Sequence, residues 1–136
     1  MKWHSTLLPV LAAAFIALSA CATKAAPPSV EIVSLSHWPV QSALKPVREM
    51  LGTFGTRIRV VELNAEAADG EARLASAGLK GHIPLAIFID GAYRTKRADG
   101  TVVEFVSFPA AAGNPMGLNG SWTAEDLEAA VKERLK

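Results

Sequence analysis

The chain has 136 residues, half of them hydrophobic, with 14 basic and 13 acidic side chains and a formal net charge of +1. That balance leaves no basic excess for a nucleic-acid partner, and the length suits one domain around one core. Cys21 is the only cysteine, which excludes any reaction needing two of the chain's own thiols.

The N-terminal segment has the three parts of an export leader. Lys2 and the amino terminus are positive, Leu7 to Ala17 is apolar with Pro9 as its one interruption, and the small residues Ser19 and Ala20 stand before Cys21. Leu7 to Ala20 is fourteen residues, short of the roughly 17 needed to span a bilayer as a helix, so a permanent transmembrane anchor is disfavoured. The tetrapeptide Leu18-Ser19-Ala20-Cys21 resembles the lipobox of bacterial lipoproteins. The resemblance implies a diacylglycerol thioether on Cys21, cleavage before it and acylation of the new amino terminus. An ordinary cleaved leader with a chance cysteine is the alternative. Ala22 in place of an aspartate favours the outer over the inner membrane, by analogy with enterobacterial sorting. The expected organisation is a leader at 1–20, a lipid-anchored tether at 21–29 containing Lys24 and Pro27-Pro28, and a folded domain at 30–136. The location expected from it is the cell envelope, facing the periplasm.

In the folded part, Val30 to Leu35 alternates apolar and polar residues and predicts a strand. After the loop Ser36-His37-Trp38-Pro39, residues Val40, Ala43, Leu44, Val47, Met50, Leu51 and Phe54 recur at helical spacing. Pro46 sits inside that helix, where it removes a donor and predicts a kink, and Gly55 is the stop. Ile58 to Leu63 is a second strand. A short helix starts at Asp69-Gly70 and ends at Gly78. Pro84 to Asp90 is a nearly continuous apolar run, suited to a strand covered on both faces. Asp99-Gly100 signals a hairpin turn, with Thr101 to Phe108 as the returning strand. Thr123 is the N-cap of a last helix whose buried stripe is Leu127, Ala130, Val131 and Leu135. The order β-α-β-α-β-β-α predicts a mixed sheet of about four strands flanked by helices.

Two segments carry a resemblance to the thioredoxin fold. Counting back eight residues from Pro46 reaches Trp38, so the positions of the family's Cys-Gly-Pro-Cys become Trp38-Pro39-Val40-Gln41. Gly78-Leu79-Lys80-Gly81-His82-Ile83-Pro84 is similar to the family's Gly-Ile-Arg-Gly-Ile-Pro-Thr, with His82 inserted and Leu85 in place of the threonine. The resemblance covers about residues 30 to 135 and implies a three-layer α/β sandwich in which Ile83–Pro84 is a cis bond facing the first-helix loop. Pro109 to Trp122 is longer than the family's turn before the last helix.

Thioredoxin chemistry needs a thiolate at the first helix and a second thiol to resolve the mixed disulfide. Trp38 and Gln41 supply neither, and Cys21 precedes the domain. A dithiol–disulfide oxidoreductase is therefore excluded, and no catalytic residue is assigned. What the resemblance implies instead is a binding edge made of His37, Trp38, Pro39, Gln41, His82, Ile83 and Pro84. Its partner would be an envelope protein or peptide, held by addition to a backbone edge; the membrane is engaged through the lipid. No cofactor is expected.

Two readings of Trp38 stand open: an exposed aromatic platform, or a side chain folded onto the core with Pro39 merely opening the helix. His37 and His82 are candidate copper or zinc ligands in a metal-handling reading, although two imidazoles leave a four-coordinate zinc site incomplete. A glutathione-binding enzyme is a further alternative, for which the sequence shows no polar cradle. Arg94, Lys96 and Arg97 form a basic cluster that reads as a solvated strand face or as a contact for anionic headgroups. Trp122, just before the N-cap, suits a hydrophobic staple better than a ligand-stacking role.

Overall fold

The computed structural model describes residues 24–110 and 119–136. Its elements are β1 Ser29–Ser34, α1 Trp38–Gly52, β2 Arg59–Asn64, α2 Ala68–Ser76, β3 Leu85–Ile89, β4 Arg94–Lys96, β5 Val102–Glu104 and α3 Ala124–Arg134. The leader, Cys21 and the centre of the long loop before α3 lie outside the described residues. No helix among the described residues is long and apolar enough to cross a membrane.

β1 is the middle of a three-stranded mixed sheet ordered β2-β1-β3. It runs parallel to β2, with Ile32 opposite Glu62, and antiparallel to β3, with Ile32 opposite Ile87. Side chains at paired positions share a face and alternate along each strand. Ile32, Glu62 and Ile87 therefore point one way, and Glu31, Val61 and Phe88 the other.

The helices follow these two faces. Arg48 of α1 bonds Glu62 at 2.7 and 2.8 Å, and α1 in turn packs on α3. Arg73 of α2 bonds Glu31 at 2.6 Å and lies 3.7 Å from the centre of the Phe88 ring. α2 thus covers the face opposite α1. A parallel β-α-β unit needs such a crossover, and the fully apolar β3 (LAIFI, every residue buried) needs cover on both sides. α1 supplies its share through Val40, Leu44, Val47 and Leu51 at helical spacing.

The expected continuous fourth strand is broken up. β4 and β5 form their own two-stranded ribbon, and among the described residues beyond β5 the chain joins β3 through residues 105–107. There Ile87 N–H donates to Phe105 O at 2.9 Å and Ser107 N–H to Leu85 O at 2.8 Å. Two local features explain this. Phe105 turns its N–H to Tyr93 O while its carbonyl faces β3, so the strand changes partner at that residue. Ser107 then adopts φ 67°, which an extended strand does not tolerate. The Asp90-Gly91 turn after β3 has positive φ at both positions, the geometry of a tight hairpin turn.

α1 continues through Pro46 and ends at Gly52, three residues before the expected stop. α2 ends as expected before Gly78, which has φ +72°. Gly70 allows α2 to dock on the end of β2, since a Cβ there would sit 1.9 Å from Asn64 O.

Candidate functional site

The C-terminal end of β1 carries the chain into α1, and the segment before β3 returns to the same place. Leu35 N–H donates to Pro84 O at 3.0 Å and fixes the two strands' approach segments side by side. Between them lies a cavity of about 260 Å³ lined by Leu35, His37, Pro39, Val40, His82, Pro84 and Phe108. Leu35, Val40, Pro84 and Phe108 are buried, so they make an apolar floor, and the two exposed imidazoles stand at its rim. The size falls below the roughly 300 Å³ at which pockets begin to hold a drug-sized molecule. It suits an apolar side chain.

A second hollow of about 240 Å³ shares Leu35 and His82 with the first and is lined further by Ile83, Glu66 and Glu71. The structure thus brings His37, Pro39, His82 and Pro84 together, with Ile83 in the adjoining hollow. Trp38 is 75% exposed at the first position of α1, which rules out its folding onto the core.

Gln41 is placed differently from the other candidates. Its Nε2 donates to Leu35 O at 2.7 Å and to Ser34 Oγ at 3.3 Å, and its Oε1 accepts from Arg48 at 2.8 Å. It ties α1 to the end of β1 and does not line the cavity beside His37. Arg48 links this bond to Glu62, and the hydrogen bond from Arg48 holds the Glu62 carboxyl below its ordinary range. Sequence reading missed this Gln41–Arg48–Glu62 chain; the signal was Gln41 and Arg48 seven residues apart, two turns on one helix face.

The Ile83–Pro84 bond is trans, since the described residues contain no cis peptide. This corrects the cis expectation. The trans form is favoured by about 0.5–1 kcal/mol for any X–Pro bond, and with His82 inserted the segment still brings the Pro84 carbonyl to Leu35 N–H.

His37 Nε2 lies 3.4 Å from Glu66 Oε1, with both side chains more than half exposed. Such a pair contributes little to stability. Among the described residues, no three or more His, Cys, Asp or Glu side chains are grouped so as to hold a metal ion.

Two members of the basic cluster are ion-paired. Arg94 bonds Glu104 at 2.6 Å, and Arg97 bonds Asp126 through two nitrogens at 2.7 and 2.8 Å. Trp122 is fully buried, donates from Nε1 to Ser107 O at 3.0 Å and meets Phe105 edge-on, in keeping with the packing role expected for it.

No protein-family model matches the sequence, and a search of curated proteins finds no match.

Proposed function

We propose that this chain is an exported, lipid-anchored domain of thioredoxin-like architecture that acts by binding an extended segment of an envelope protein. The observation that carries the reading is the shared cavity. Residues from the start of α1 (His37, Pro39, Val40) and from the segment before β3 (His82, Pro84) converge on one apolar hollow, and the exposed Trp38 stands in the chain between two of its lining residues, His37 and Pro39. The sheet order β2-β1-β3, with one parallel and one antiparallel pairing, supports the architecture. The lipobox-like tetrapeptide ending in Cys21 supports the anchor.

The chemistry of such a site is limited to gripping. A residue of the partner enters the apolar hollow, and its neighbour lies against the Trp38 ring. With no cysteine between residues 22 and 136, electron transfer through a dithiol is unavailable to the domain. Fully burying one large aliphatic or aromatic side chain is worth about 1.5–3 kcal/mol, so a short segment binds weakly and reversibly unless its flanks add contacts.

The test is an array of extended peptides taken from envelope proteins, probed with the processed chain and with Trp38→Ala. The expected result is a set of peptides with an apolar residue in common whose signal falls at least tenfold with Trp38→Ala while the unfolding midpoint stays put. Equal binding by the two proteins would contradict the reading, as would reduction of insulin by the processed chain.

A further inference from the structure

We infer that the groove faces away from the bilayer, and that the opposite end of the domain, carrying Lys24, Arg57 and Arg59, rests on anionic headgroups. The inference rests on the lipid anchor at Cys21 proposed above, and it is independent of what the groove binds.

The geometry is set by β1. The tether enters the domain at its N-terminal end, where Arg59 N–H donates to Pro28 O at 2.8 Å and Ser29 N–H donates to Asp90 Oδ1 at 2.8 Å. The groove and Trp38 lie beyond its C-terminal end. Six strand residues at about 3.3 Å each, plus the turn into α1, separate the two ends by about 20 Å. Pro28 is already fixed to β2, which leaves seven residues, 21–27, between the acyl group and the fold. At about 3.4 Å per residue their limit is about 24 Å. To bring Trp38 to the headgroups, the tether would have to run back along the domain almost fully stretched. The entry end reaches the membrane with no such demand.

Charge favours the same arrangement. Arg57, in the 3-10 turn Gly55–Arg57, and Arg59, at the start of β2, are exposed and have no acidic partner among the described residues. Lys24 lies four residues before Pro28 and is exposed as well. Against these stand Asp90, engaged by Ser29, and Glu49 near the end of α1. Each basic side chain near an anionic leaflet adds a modest, short-ranged attraction. That is too little to hold a protein at a membrane, and enough to orient one already tethered there.

The experiment uses the lipidated chain in vesicles of phosphatidylethanolamine and phosphatidylglycerol with nitroxide-headgroup lipid. Mass spectrometry of the N-terminal peptide first reads acylation of Cys21. Once Trp3 leaves with the leader, Trp38 is the exposed indole and Trp122 the buried one, so the protein carries its own reporter at the groove. A fluorophore on Thr56→Cys, an exposed position beside Arg57, reports the other end. Quenching several-fold stronger at position 56 than at Trp38 is expected. It should drop when Arg57→Glu and Arg59→Glu are combined, and the variant should make no difference in phosphatidylcholine vesicles. Equal or stronger quenching of Trp38 on an acylated chain would overturn the orientation alone. An unmodified Cys21 would overturn the anchor and the orientation with it, leaving groove binding to stand on its own test.

Discussion

The first and last helices begin in opposite ways. α3 starts with a complete capping box: Thr123 Oγ1 accepts from Asp126 N–H at 3.2 Å, and Asp126 Oδ2 accepts from Thr123 N–H at 3.0 Å. Arg97 clamps the same carboxylate, and Trp122 is fully buried next to the cap. α1 starts with none of this. His37 makes no capping bond although its backbone (φ −71°, ψ 142°) is right for one, the first turn has no acid, and Trp38 projects into solvent. One helix start is satisfied from within the fold. The other leaves a large apolar side chain in solvent and two imidazoles at the rim of an apolar hollow, without a side-chain cap. In the reading proposed above, this end is the surface kept for a partner.

The largest effect should come from the satisfied end. Trp122→Ala removes a buried indole, its bond to Ser107 and its edge contact with Phe105, and should cost about 3–5 kcal/mol in denaturant unfolding. Removing the cap itself is milder. Thr123→Ala should cost about 1 kcal/mol, with the groove's peptide binding unchanged.

The Asp126 carboxyl is held below its usual value, first by its hydrogen bond from Arg97 and then by the bonds at Thr123. A depressed folded-state pKa means a contribution that is fully present above the ordinary aspartate range. It is lost as pH falls from about 4 towards the folded value. Asp126→Asn should therefore flatten the acid limb of the stability–pH curve, which thermal melts across that range would read.

The converse substitution sharpens the comparison from the other side. His37→Asp supplies α1 with the cap it lacks, and should stabilise the protein by about 0.5–1 kcal/mol while weakening peptide capture. Trp38→Ala, at the smallest end, should change stability by less than about 0.5 kcal/mol, since the side chain is mostly in water. A large loss of stability in that variant would mean that the indole packs on the domain after all.

Much of this was legible because the signals were local. The alternation in Val30–Leu35, the helical stripe from Val40 to Leu51 and the apolar run Leu85–Ile89 each report the face that an element buries. Thr123 with Asp126 three residues on is a capping signal readable from spacing alone. What stayed hidden depends on tertiary partners. Nothing in the sequence around Thr101–Phe108 tells that Phe105 divides its backbone bonds between Tyr93 and Ile87, or that Ser107 takes a left-handed conformation. The cis bond assigned to Pro84 came from resemblance, not from the residues, and the backbone departs from it. Within the candidate site, His37, Pro39, His82 and Pro84 converge as a pair of loop segments flanking β1 and β3 would, whereas Gln41 is claimed by Arg48 and the end of β1. Only the fold reveals that competition, because Leu35 O and Arg48 are brought to Gln41 by packing.

The central claim is that the start of α1 and the segment before β3 form one binding surface. Titrating the isotope-labelled processed chain with the strongest array peptide, and following amide and indole N–H shifts, tests it most directly. The account predicts changes confined to residues 35–40 and 82–85, with the Trp38 indole among the largest. Shifts centred instead on the β4–β5 ribbon or the start of α3, with Trp38 unmoved, would contradict it.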